Sequence, residues 1–255
     1  MRLAYQLFLV LVLDLITLQT AGQDYLQSGI LFFNAVKSNE FEEADKLIKT
    51  MASGKEEILK SQLNTENKAK AFWINLYNTY VQYLLKKDPG LFKDRSKFFK
   101  TEYITIADQK LSLDDIEHGI IRRSRNKYTM GYLGSFFVSN FEKRFRLETI
   151  DYRIHFALNC GAKSCPPVAL YKPNKLEAQL DKSAELYLKT FARYKPKENI
   201  VMAPVLCSWF NADFEGGSGV LSMMKKYKIV PPEKDPDIDY LSYDWTLKLD
   251  NYITL

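Results

Sequence analysis

The chain has only two histidines and three cysteines, and one histidine and two cysteines fall within Asp151–Pro167, DYRIHFALNCGAKSCPP. His155, Cys160 and Cys165 could serve as metal ligands, a disulfide, or a nucleophile with its base. A closed structural zinc site needs four soft ligands, and with only His118 and Cys207 left over and no C-x-x-C spacing, we predict no metal and no other cofactor. A disulfide could join Cys160 to Cys165 or Cys165 to Cys207, and the sequence does not choose. A thiol nucleophile needs a base to form the thiolate, a group that orients the base, and donors for an oxyanion. Cys160 enters a loop constrained by Pro166 and Pro167. Gly161 offers open backbone N–H groups there, and Asn159, Asn75 or Asn78 could add an amide. On a strand through residues 154–159, His155 points to the face opposite Cys160. His118, coming from a separate element, is freer to meet the thiol.

Those residues need elements to hold them. Ala71–Leu85, in ENKAKAFWINLYNTYVQYLLKKDPG, is apolar nearly all round and ends at Asp88-Pro89-Gly90, which predicts a buried helix. Asn75 and Asn78 share one face of it, and as buried amides they must hydrogen-bond a neighbouring loop or strand. YITIADQKLSLDDIEHGIIRR predicts a strand, a turn and a helix, with Ser112 as N-cap and Asp114 and Asp115 in the first turn. Alternation of Ile154, Phe156 and Leu158 with His155, Ala157 and Asn159 predicts a strand ending at Cys160. Another helix over PNKLEAQLDKSAELYLKTFARY, a strand and helix over ENIVMAPVLCSWFNADF, and a final strand over DIDYLSYDWTLKLDN complete the pass. Helices and strands mix without βαβ alternation, so the class is α+β, with helices packed on a mainly antiparallel sheet.

Bulk composition suits one globular domain: 255 residues, 46% hydrophobic, 14% aromatic, with no low-complexity tract. The net charge of +5 is modest, and the basic run Lys86–Lys100 reads as a solvated face, so nucleic acid is not an expected partner. Arg2, the apolar run Leu7–Leu13 and the small residues Thr20-Ala21-Gly22 predict a signal peptide over residues 1–22. The single domain then spans 23–255 in a secreted, periplasmic or other extracytoplasmic protein, with no membrane span after cleavage. In an oxidising compartment, three cysteines leave at least one free thiol per monomer.

AFWINLYN (Ala71–Asn78), LSLDDIEHGII (Leu111–Ile121) and RIHFALNCGAKSCPP (Arg153–Pro167) together resemble the domain-of-unknown-function 547 family, and WFNADF and YDWTL fit it too. The resemblance runs from about Asn67 to the C-terminus. It implies a fold similar to the cysteine proteases and a Cys-His-Glu constellation, with Cys160 as nucleophile, His118 as base and Glu117 as orienting carboxylate. Adjacent residues on a regular helix do not face each other, so Glu117 serves only if the helix is distorted, and Asp114, one turn before His118, is the alternative. The expected activity is a thiol hydrolase or acyltransferase acting on a peptide, amide or thioester bond. The alternative is a non-catalytic domain binding peptide or glycan in the same cleft.

Overall fold

A computed structural model describes residues 24–255; the expected signal peptide lies outside the described residues. Four helices open the fold. α1 (Tyr25–Lys37) starts where Asp24 accepts from the Gln27 amide, and α2 (Phe41–Ala52) and α3 (Glu56–Gln62) follow it. α2 and α3 are separated at Ser53 and Gly54. α4 (Glu66–Lys87) is capped by Thr65 and forms the axis of the main core, with Trp73, Ile74, Tyr77, Val81 and Leu85 all buried. Lys70, buried on this helix, is neutralised by Asp151 at 3.0 Å, as a buried ammonium must be.

Three amides on α4 connect the helix to the segments it positions. Asn75 pairs with both backbone groups of Tyr171, at 2.8 and 2.9 Å. Asn78 donates to the Ala157 carbonyl (2.8 Å) and accepts from the Asn159 N–H (2.7 Å). Gln82 bonds the Asn159 side chain (3.3 Å) and the Asp250 N–H (3.1 Å). The predicted polar clamp is therefore a ladder, reaching the loop around Cys160 and the C-terminal tail.

After α5 (Arg95–Lys100), β1 (Ile104–Ile106) and β2 (Gln109–Leu111) form an antiparallel hairpin. Its two-residue turn places Ala107 and Asp108 at φ 49° and 62°, the left-handed pair that twists with the strands. Ser112 and Asp115 then cap each other: the Asp115 carboxylate accepts from the Ser112 N–H (2.8 Å) and the Ser112 hydroxyl from the Asp115 N–H (3.1 Å). The helix that follows, Asp115–Ile121, is a π-helix, closed by the Arg122 N–H donating to the Glu117 carbonyl at 2.8 Å. This widened turn is the distortion that a Glu117–His118 partnership requires.

The expected strand before Cys160 is a 3-10 helix, Tyr152–Phe156. Asp151 accepts from the Arg153 N–H at 3.1 Å and caps the turn. Ile154, His155, Phe156 and Ala157 are all buried, so the apolar alternation marked no exposed face. Ile154 and Ala157 join the α4 core. Phe156 joins a second core built from α7 (Leu176–Phe191), β4 (Ile200–Pro204) and α9 (Gly216–Lys226). The parity argument against His155 falls with the strand.

α6 (Asn140–Phe145) precedes this segment, and α8 (Leu206–Trp209) with a 3-10 turn, Asn211–Phe214, follows β4. β3 (Arg193–Lys195) pairs antiparallel with β4, and β5 (Asp237–Leu241) pairs parallel with it. Two small sheets beside many helices make the class α+β, and two of the three strand pairings are antiparallel, β4 with β5 being the parallel one. β5 covers only the start of the predicted final strand. The rest runs extended along the cysteine loop, with Lys163 N–H to Thr246 O at 2.8 Å and Lys248 N–H to Gly161 O at 2.8 Å. Among the described residues no helix is long and apolar enough to cross a membrane.

Replacing Asn78 with Ala leaves the Ala157 carbonyl and the Asn159 N–H buried without their partner, at a cost of about 2–4 kcal/mol. Urea denaturation measures this directly. A loss under about 0.5 kcal/mol would mean that the amide ladder does not hold the loop.

Candidate active site

A cavity of about 290 Å³ brings the chemistry-bearing segments together. Tyr77 from α4, Phe99 from α5, Trp209 and Phe210 after β4, and Tyr243 and Trp245 from the tail supply aromatic walls. Asp114, Glu117, His118, Lys127, His155 and Cys160 supply the polar groups. Cys160, His118 and Glu117 thus meet in one cavity, as do both histidines.

Cys160 is half-buried and is bonded to Cys165, which is buried. The structure thereby chooses the local pairing, and Cys207 is the free thiol of the three, buried in α8. Burial pushes the Cys207 thiol up to about 12. The Cys160 N–H donates to Cys165 Sγ at 3.0 Å. Tyr243 Oη lies 3.4 Å from Cys160 Sγ and 3.1 Å from Cys165 Sγ. The proposed oxyanion donors are otherwise engaged. The Gly161 N–H donates to Asn159 Oδ1 (2.9 Å) and Asn159 Nδ2 to the Pro166 carbonyl (2.7 Å). Asn75, Asn78, Asn159 and Gly161 shape the loop behind the cavity and are not among its lining residues. Gly161, at φ +88°, is required there, because a Cβ would come within 2.7 Å of Leu85.

His118 has an unexpected partner. Arg122 Nη1 lies 3.0 Å from its Nδ1. A guanidinium can only donate, so Nδ1 accepts and the imidazole proton sits on Nε2, 3.5 Å from Asp114 Oδ1. Glu117 Oε1 stands 3.8 Å from the same Nδ1, beyond hydrogen-bond range, while Glu117 Oε2 accepts from the Tyr77 hydroxyl at 2.8 Å. Burial, then the cations Arg122 and Lys127, hold His118 well below the usual imidazole range. Burial also raises the carboxyls of Glu117 and Asp114, against the Tyr77 hydrogen bond on the first and Lys127 on the second.

Arg122 is itself fixed by Asp213, through Nε–Oδ2 at 2.6 Å and Nη2–Oδ1 at 3.1 Å, and both side chains are 0% exposed. Asp213 Oδ2 also accepts from His155 Nε2 at 2.9 Å. Burial alone would raise Asp213, but the hydrogen bonds from His155 and Arg122 outweigh it and hold the carboxyl at about 2. Burial lowers His155, against that same Asp213 bond. Phe210 stacks on His155 with centroids 4.2 Å apart and lies 4.4 Å from the Arg122 guanidinium. Gly131, at φ +86°, lets its loop close over the pair, since a Cβ would stand 2.7 Å from Asp213 Oδ1. Arg122, Asp213, Phe210 and Tyr243 were missed in the sequence. Asp213 and Phe210 sit inside WFNADF, one of the motifs that fit the family, and that was the available signal.

The family model described as "Protein of unknown function, DUF547" matches residues 60–188, about half the chain, and the chain belongs to that family. The match takes in α4, the π-helix and the cysteine loop. It ends before Asp213 and the tail that supplies Tyr243 and Trp245. No curated protein and no solved structure matches the chain.

With both histidines lowered, the unfolded chain binds protons that the folded chain refuses below about pH 6.5. Stability should be full above that value and decline as the pH falls through it, more gently in His118→Gln. Urea denaturation at about pH 7.5 and 5.5 tests this, and stability that holds or rises on acidification would contradict it.

Proposed function

We propose that the protein is a cysteine-dependent acyl hydrolase or acyltransferase, related in fold to the cysteine proteases, whose nucleophile Cys160 is masked by its bridge to Cys165. The observation that supports this reading is that Cys160, His118 and Glu117, all half-buried and from segments far apart in sequence, line one cavity. A dithiol reductant opens the bridge and leaves two thiols. The Cys160 thiolate then attacks an acyl carbon, and the leaving amine or thiol departs with a proton from His118. Water or an acceptor amine releases the acyl group.

For His118 to take the thiol proton at Nε2, its own proton must first move to Nδ1. Nδ1 then needs an acceptor, so Glu117 must replace Arg122 as its partner. A carboxylate 3.8 Å away can do this by side-chain rotation. Tyr243, within reach of both sulfurs, donates to the thiolate or to the oxyanion that follows. The substrate is a peptide or another acyl compound whose apolar part the aromatic walls accept. Export from the cytoplasm accords with a bridged cysteine pair.

A second reading has its own support. With the bridge closed, the loop amides committed to backbone and Arg122 on Nδ1, the cavity is an aromatic cleft suited to binding a peptide or glycan without chemistry.

Iodoacetamide labelling read by mass spectrometry separates the two. Native protein without reductant should label at no cysteine, because Cys207 is buried and its thiol stands near 12. After mild reduction, Cys160 should label well below its ordinary pKa of about 8.5, and at least about tenfold more slowly in His118→Ala and Glu117→Gln. Labelling of Cys160 that follows an ordinary thiol and ignores both substitutions would leave the binding domain as the better reading.

A further inference from the structure

Of the seven large apolar side chains exposed among the described residues, six lie in one loop between the π-helix and α6. Phe137 is 94% exposed, Phe136 84% and Tyr128 74%, with Tyr132, Leu133 and Met130 about half exposed. Such side chains normally mark a contact surface. The loop is also held in place. Asn126 N–H donates to Leu133 O at 2.9 Å, Ser135 N–H to Ser124 O at 2.6 Å, and Ala212 N–H to Met130 O at 3.1 Å. Tyr132 Oη donates to Asn211 Oδ1 at 2.7 Å. The aromatic tip is thus presented by a braced loop.

Its charge is one-sided. From Arg123 to Arg146 there are six Lys or Arg against the single Glu142, a surplus equal to the net charge of the whole chain, +5. Lys127 is committed to Asp114 and Arg144 to Glu56, while Arg123 and Lys143 are exposed beside the loop. Lys100 adds a cation 5.7 Å from the Tyr128 ring. Adjacent phenylalanines projecting just after the Gly134 bridge do not make the flat face of about 800 Å² that a stable protein interface needs. Apolar prongs flanked by exposed cations on both sides of the loop in sequence do match the boundary between anionic headgroups and acyl chains.

We propose that the loop 128–137 docks on an anionic lipid bilayer, with Phe136 and Phe137 entering the headgroup–acyl boundary and the cations of Arg123–Arg146 against the headgroups. Lys127 and Tyr128 belong both to this surface and to the cavity lining, so docking turns the cavity toward the bilayer. The proposal stands whether Cys160 is catalytic or not.

The test is co-sedimentation of the full chain with vesicles of phosphatidylcholine and phosphatidylglycerol, and with phosphatidylcholine alone. The double variant Phe136→Ser, Phe137→Ser and the charge variant Arg123→Glu, Lys143→Glu are run alongside, each checked for fold by circular dichroism. All carry residues 1–22, so any contribution from that segment is common to them. The wild type should bind the anionic vesicles more tightly and lose affinity with added salt. The double Phe variant should partition at least about tenfold more weakly. The charge variant should lose its preference for phosphatidylglycerol. No vesicle binding, or equal binding by wild type and both variants, would overturn the proposal. So would self-association of the wild type that the Phe variant abolishes, which would assign the surface to a second copy.

Discussion

The buried Arg122–Asp213 pair is the interaction on which the cavity depends. Placing two charges beyond the reach of water is costly, and removing one partner of such a pair costs about 3–5 kcal/mol because the other is stranded. That is a large part of the roughly 5–15 kcal/mol that keeps a domain folded. Every nitrogen of the guanidinium and both oxygens of the carboxylate have a hydrogen bond. Asp213 takes two from Arg122 and one from His155, and Arg122 gives its remaining nitrogen to His118. One ion pair therefore fixes the position of both histidines. It also joins segments that belong to different cores: the end of the π-helix, the 3-10 turn before Cys160, and the turn after α8. Phe210 covers it from the cavity side, and the Gly131 loop approaches it closely.

Burial first, and then Arg122 of the same pair, set the protonation state of His118. A guanidinium pointed at Nδ1 makes His118 a neutral donor through Nε2 instead of a base poised to receive a proton. Glu117, in the same buried turn, competes for that nitrogen from a short distance. The widened π-helical turn is what allows residues adjacent in sequence to compete, and it also places Arg122 where it meets His118. Opposite, the cysteine loop has little freedom. Asn78 and Gln82 hold it from α4, and the tail around Thr246 and Lys248 holds it from the other side. A rigid wall carrying a bridged sulfur thus faces a histidine with two possible partners.

The sequence made some of this legible. Helix α4 showed as an apolar stretch without glycine or proline, and its asparagines as amides that had to find backbone partners. The Ser112 cap was readable because capping is local. Cysteine arithmetic implied a free thiol, and the structure identifies it as Cys207. The segment before Cys160 was misread because a short turn buried on every side alternates as a strand does, and the Asp151 cap that bends it gave no periodic signal. The π-helix was also hidden, since one residue of extra width leaves the apolar spacing almost unchanged. Arg122 and Asp213 are 91 residues apart. No spacing rule links them, and each alone reads as an ordinary surface charge.

Both histidines can be followed by long-range proton–nitrogen correlation on protein labelled with ¹⁵N-histidine, and two residues suffice for assignment by a single substitution. If the Arg122–Asp213 pair sets the site, each ring should carry its proton on Nε2, with a bare, accepting Nδ1 in His118. His118 should stay neutral well below the ordinary imidazole value of about 6.5, and His155 should titrate below it. A proton on Nδ1 of His118 in the bridged protein, or titration of either ring near that value, would contradict the account.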